Sequence, residues 1–180
     1  MSVIYRLGSG AVVSSATTST DTQPTMTTIS MTPIGRVMSA RDEPIDDAWD
    51  SVPTTIVLDP GQLKADAAQG LDGFSHILVT YVFDRVVEAE IERGARHPRG
   101  RTDWPKVGIL AQRAKNRPNR IGITTCRLLS VNGLTLKVQG LDAIDGTPVL
   151  DIKPHMSGFE ARGAVHEPDW SRELMERYWD

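Results

Sequence analysis

Hydrophobic and polar residues alternate with a period of two along much of this chain, most extensively over residues 74–86. There His76, Leu78, Thr80, Val82 and Asp84 share one face, and Ser75, Ile77, Val79, Tyr81, Phe83 and Arg85 the other. Both faces are largely apolar, which predicts a central strand covered on two sides. Ile121, Ile123, Thr125, Arg127, Leu129 and Val131 repeat the alternation, and Leu134, Leu136 and Val138 resume it. The Asn132-Gly133 pair between them tolerates positive φ, so the segment predicts a hairpin with a two-residue Asn-Gly turn. Shorter β-branched runs at residues 28–31, 34–38, 54–58 and 149–153 add strands, while residues 60–69 read as a short helix or turn. Seven or so strands with short turns and little helix predict a mainly β fold: a single small β-barrel, closed or nearly so, because closure removes exposed edges.

The ends of the chain read differently. Residues 1–27 are rich in Ser, Thr and Gly without periodicity, which predicts a disordered tail, with Met26 and Met31 as alternative starts. Near the C-terminus Ser171 is the expected cap of a short helix in which Trp170, Leu174 and Tyr178 recur every fourth residue. Such a stripe covers a barrel end or meets a partner subunit. The expected organisation is therefore a tail at 1–27, a barrel domain at 28–156 and a C-terminal extension with a short helix at 157–180.

Composition narrows the chemistry. With 180 residues and 39% hydrophobic content the chain supports one core. The single cysteine, Cys126, permits neither an internal disulfide nor a cysteine-based zinc site, and no second His stands at metal-ligand spacing from His76, so no metal is expected. No apolar run approaches the roughly 20 residues of a membrane span and no export signal is visible, so a cytoplasmic protein without a membrane partner is expected. There is neither a Gly-x-Gly-x-x-Gly fingerprint nor a phosphate loop ending in Gly-Lys-Ser.

Charge changes the picture. From Arg93 to Arg127 ten lysines and arginines face a single acid, Asp103, in a chain whose formal net charge is −3. Most are arginines, whose flat fork suits phosphate and carboxylate, so an anionic partner is expected. The stretch 93–101 reads as a mobile basic loop, with Trp104 at its end as a stacking residue or a buried anchor. Residues 42–50 form an acidic loop with Trp49 tucked against the core, and Asp145-Gly146-Thr147-Pro148 reads as a tight turn of the kind any hairpin favours.

Four motifs together are specific: Pro33-Ile34-Gly35-Arg36-Val37, Gly73-Phe74-Ser75-His76, Arg117-Pro118-Asn119-Arg120-Ile121-Gly122, and the long run from Gly140 to Pro154 containing Asp145-Gly146-Thr147-Pro148. They resemble the TsaA-like (TrmO-type) S-adenosylmethionine-dependent methyltransferase family over residues 30–156. The resemblance implies a β-barrel that binds S-adenosylmethionine as a homodimer, and N6-methylation of threonylcarbamoyl-adenosine beside the tRNA anticodon. It implies cofactor contacts at Asp84, Arg85, Arg113, Thr125, Asp145, Gly146, Thr147 and Pro148, and at Ile45, Asp46 and Asp47 in the acidic loop. Arg96, Arg99, Arg101, Lys115, Arg117, Asn119 and Arg120 are the candidate RNA-binding residues. The chain departs from the family's usual Thr-Arg-Ser-Pro at Gln112-Arg113-Ala114-Lys115, has Arg120 in place of a second proline, and carries acidic Asp46 to Asp50 in place of Pro-Arg-Gln. These changes leave open a same-fold N-methyltransferase acting on a small anionic metabolite, or a non-catalytic RNA-binding barrel.

Overall fold

Each strand-forming run carries one apolar face, and closing the sheet on itself buries all of those faces at once. The computed structural model describes residues 27–180; the predicted disordered tail lies, apart from Thr27, outside the described residues. The strands are β1 (Gly35–Met38), β2 (Thr54–Leu58), β3 (His76–Val82), β4 (Ala95–Arg96), β5 (Val107–Gly108), β6 (Ile121–Asn132), β7 (Thr135–Gln139) and β8 (Pro148–Pro154), followed by the helix α1 (Asp169–Met175). Six of them form a closed barrel in the order β1-β2-β7-β6-β3-β8, and β4 and β5 make a separate two-stranded ribbon. All pairs are antiparallel; the barrel closes where Gly35 of β1 pairs with Val149 of β8. No helix of the described residues is long and apolar enough to cross a membrane.

Every second residue points inward, as the pleat requires. Val37, Ile56, Ile77, Val79, Leu136, Val138 and Val149 are fully buried. On β3 the inward set is Ile77, Val79 and Tyr81, with Leu78, Thr80 and Val82 half-buried on the outer face. On β6 the inward residues are Gly122, Thr124 and Cys126, whereas Ile123 and Leu129 face outward at 47% and 46% exposure. Tyr81 dictates this choice: a Cβ on Gly122 would lie 2.3 Å from its ring, so only glycine fits beneath it. A register shift between Leu128 and Ser130 interrupts the alternation farther along.

Several sequence expectations are corrected. Residues 28–31 are not a strand; Ile29 and Met31 are exposed and pairing begins at Gly35. The long strand is shorter than 74–86, because the chain turns away at Asp84, where Val86 N–H bonds to the Phe83 carbonyl. The hairpin turn is Gly133-Leu134, closed by the pair Asn132 and Thr135. Only Gly133 has positive φ, +55°, which is the pattern of a type II′ turn rather than an Asn-Gly type I′ turn. This placement lets Leu134 pack on the core while its carbonyl accepts from Leu58 N–H at 2.9 Å. Ser171 lies inside α1, where its hydroxyl bonds back to the Pro168 carbonyl at 2.9 Å, and Pro168 occupies the cap position.

Candidate functional site

Antiparallel topology sorts the connections between two ends of the barrel. The C-terminal ends of β1, β3 and β7 and the N-terminal ends of β2, β6 and β8 share one end, so residues 39–53, 83–120 and 140–147 all emerge there. The connection 59–75 and the hairpin turn lie at the other. Of the candidate site residues, all but Thr125 and Pro148 belong to the first group; Pro148 opens β8 at that same end.

The turn before β8 is built tightly. Thr147 N–H bonds to the Ile144 carbonyl across a turn whose third residue, Gly146, has φ +82°, as a type II turn requires. Gly146 N–H donates to Val37 O at 2.9 Å and Asp145 N–H to Arg41 O at 2.7 Å, and the Asp145 carboxylate accepts from Ser39 N–H at 3.0 Å. Thr147 is buried. Arg85, in the turn that ends β3, completes the assembly: its guanidinium donates to Asp42 O at 2.8 Å and to Asp145 O at 3.0 Å. Asp84 beside it is exposed, with no partner for its carboxylate among the described residues.

The acidic loop is organised by Arg41, which donates to the carbonyls of Ile45 (3.0 Å), Asp47 (2.7 Å) and Ala48 (3.2 Å) and stacks over Trp49 at 3.8 Å. Trp49 is buried, as expected. The loop encloses an open hollow of about 440 Å3 lined by Ala40, Arg41, Glu43, Ile45, Ala48 and Val52. Arg113 donates to Ile123 O at the start of β6, and Thr125 lies on the outer face of the same strand, paired with Leu78.

The basic segment is pinned by several hydrogen bonds, and part of its charge is paired. The β4–β5 ribbon is held by Gln112, whose amide donates to Arg96 O and Val107 O, and His97 Nδ1 contacts Trp104 O at 2.7 Å. Arg99 pairs with Asp47 at 2.7 Å and Asp46 at 3.9 Å, and Arg101 pairs with Asp103. Arg117 donates to Gln112 O, and Arg120, at φ +52°, donates to Val86 O. Arg96 is half-buried; Asn119 is exposed, and Lys115 has no ion-pair partner among the described residues. Trp104 is the buried anchor, with its indole N–H on Glu173 at 2.7 Å. The residues expected to hold RNA and those expected to hold cofactor therefore meet, through Arg99 and the acidic loop.

A cluster that sequence reasoning missed sits at this end too. Asp142 Oδ1 accepts from Tyr81 at 2.6 Å and from Thr124, and Oδ2 accepts from Tyr178 at 2.6 Å. Burial, then the Asp142 charge, pushes the Tyr81 phenol far above its usual value. The same causes raise Tyr178, against which the charges of Arg113 and Arg99 act in the opposite sense. Burial and Asp142 likewise push the Cys126 thiol up to about 12. Both phenols thus stay protonated and serve as donors at ordinary pH. The available signals were an acid inside the apolar run Leu141-Asp142-Ala143-Ile144, and a threonine on the inward face of β6.

Residues 38–161 match the family described as the tRNA-methyltransferase O N-terminal domain. A probable S-adenosyl-L-methionine-binding protein of Methanothermobacter thermautotrophicus is 37% identical over 142 residues, covering 75% of this chain and 96% of that protein. The human tRNA (adenine(37)-N6)-methyltransferase is 36% identical over 99 residues, covering 55% of this chain and 22% of its own. This chain spans about a fifth of the length of the mammalian methyltransferases it matches. Among solved structures, TrmO from Pseudomonas aeruginosa superposes with a TM-score of 0.66 at 27% identity, covering 82% of this chain and 64% of that one.

Proposed function

The chain belongs to the tRNA-methyltransferase O N-terminal domain family, and on that footing we propose that it binds S-adenosylmethionine at the Asp145 end of the barrel. We further propose that it methylates N6 of an adenosine beside the tRNA anticodon, with threonylcarbamoyl-adenosine as the acceptor. The observation that carries the reading is Arg85, whose single guanidinium ties the end of β3 to the acidic loop and to the Asp145 turn. Three segments that the family resemblance assigns to one ligand are thereby fixed against one another.

The residues present fit that ligand. Arg113 uses one donor on Ile123 O, leaving the rest of its fork for a carboxylate. The Asp84 carboxylate is unpaired and suits ribose hydroxyls or a cationic sulfur. When bound, the sulfonium supplies the transferable methyl group, and the protein supplies alignment and electrostatics. Strand ends and a turn pinned by four backbone bonds hold such an alignment better than a free loop, and positioning can contribute roughly 7–11 kcal/mol to lowering the barrier. A second copy covering the outward Ile123 and Leu129 would bring Thr125 to a subunit interface, which is the homodimer we propose.

Calorimetric titration with S-adenosylmethionine, followed by mass spectrometry of tRNA incubated with labelled methyl donor, tests this reading. Binding and a methylated adenosine are expected. Absence of binding heat would sink it and leave an RNA-binding barrel. The pairing of Arg99 and Arg101 with acids favours one alternative, methyl transfer to a small anionic metabolite, which predicts turnover of metabolite extracts and none of tRNA.

A further inference from the structure

The C-terminal segment lies beyond the family match, which ends at residue 161, yet it is built into the candidate site. One seven-residue helix cannot hold itself, so its docking must come from tertiary contacts. Trp104 donates to Glu173 and packs against Trp170 at 6.3 Å between centroids. After α1 the chain returns to the acidic loop, where Trp49 N–H bonds to Tyr178 O at 3.3 Å and Asp50 N–H to Trp179 O at 3.0 Å. This return carries the Tyr178 hydroxyl to Asp142 Oδ2.

The result is a carboxylate held by three hydroxyls, with no ion-pair partner among the described residues. Two of the three, from Tyr81 and Thr124, come from the barrel and share Oδ1; Oδ2 depends on Tyr178. The Tyr178 ring has the Trp179 ring nearly perpendicular to it, with centroids 4.9 Å apart, and the Arg99 guanidinium, itself paired with Asp46 and Asp47, 5.9 Å from its centroid, so its surroundings are flat and largely aromatic. A flat aromatic wall of this kind suits the base of a nucleoside, through stacking.

We propose that Tyr178 is a positioning and specificity-determining residue for the acceptor: it fixes Asp142, and its ring walls the end of the barrel through which an adenosine nucleotide approaches. The proposal rests on the methyl-transfer reading above. Family membership is carried by the barrel, and acceptor choice is tuned by a segment outside it.

The test compares Tyr178→Phe, which removes only the hydroxyl, with Glu173→Ala, which loosens the same segment at a distance. Calorimetric affinity for S-adenosylmethionine, melting temperature, and kcat and KM for tRNA are measured on the full chain. Tyr178→Phe should lower kcat/KM for tRNA about tenfold, the loss of one hydrogen bond to a charged group, with cofactor affinity within about twofold of wild type. Glu173→Ala should lower the melting temperature but cost less in kcat/KM than Tyr178→Phe, because its own contact is to Trp104 and not to Asp142. Equal kinetics for Tyr178→Phe and wild type overturn the proposal, as does a loss in both variants that tracks melting temperature. A wild type that binds cofactor but methylates no RNA overturns the acceptor reading and this proposal with it. A wild type that binds no cofactor overturns the proposed function at its root.

Discussion

Arg85 makes two hydrogen bonds to carbonyls on different connections, and no shorter or singly forked side chain could span both. Arg85→Ala should weaken S-adenosylmethionine binding by about tenfold or more, with a smaller effect on melting temperature because the residue is exposed; calorimetry and thermal scans separate the two. The phenols on Asp142 give a pH dependence whose sign follows from their raised folded values. The unfolded chain gives up these protons near pH 10 while the folded chain keeps them, so their contribution is complete below that pH and declines above it. Denaturant titrations between pH 8 and 11 should show a loss approaching about 1.4 kcal/mol per pH unit per phenol, and Tyr178→Phe should remove one share of it. Arg99 shows where residue-level reading fails. Its charge and neighbours suggest a phosphate ligand, but its partner Asp47 is 52 positions away in sequence, and only the folded chain reveals the pair.

The barrel strands were legible because each alternates with a period of two about one fully buried face, whereas β4 and β5, two residues each, carry no such period and were read as loop. The β6–β7 hairpin followed from alternation and the Asn132-Gly133 pair, but neither the placement of its turn nor its inward face did. Both were decided by neighbours in space: Leu134 is drawn to the core, and Tyr81 demands a glycine opposite. Hydrophobicity would favour Ile121 and Ile123 as the inner face of β6; packing places Gly122 and Thr124 there instead. Gly122→Ala should therefore cost about 1–3 kcal/mol through overpacking and shift Tyr81 off Asp142, visible as a lower melting temperature and a smaller alkaline loss. The C-terminal helix was legible from the spacing of Trp170 and Leu174, but it ends at Met175, and Tyr178 reaches Asp142 from the segment that follows. Its start was not, because Ser171 bonds its hydroxyl to the preceding turn rather than capping.

Closure of the sheet turns connections remote in sequence into neighbours, and this is why the motifs could be found separately while their meeting could not. The charge of residues 93–127 follows the same rule: ten cations in sequence become a smaller field once acids from residues 46, 47, 88 and 103 are placed beside them. The salt dependence of tRNA binding should accordingly be shallower than ten cations imply. Lys115, still unpaired, should contribute about one unit to the logarithmic slope, so Lys115→Ala should reduce it by that amount in filter binding at 50–200 mM salt. The connection between β2 and β3 departs from the opposite end of the barrel and is largely exposed around Gly70. A dye or a tethering peptide spliced there would leave folding and ligand access alone, and would anchor the molecule to a sensor chip with its binding end turned toward the flow.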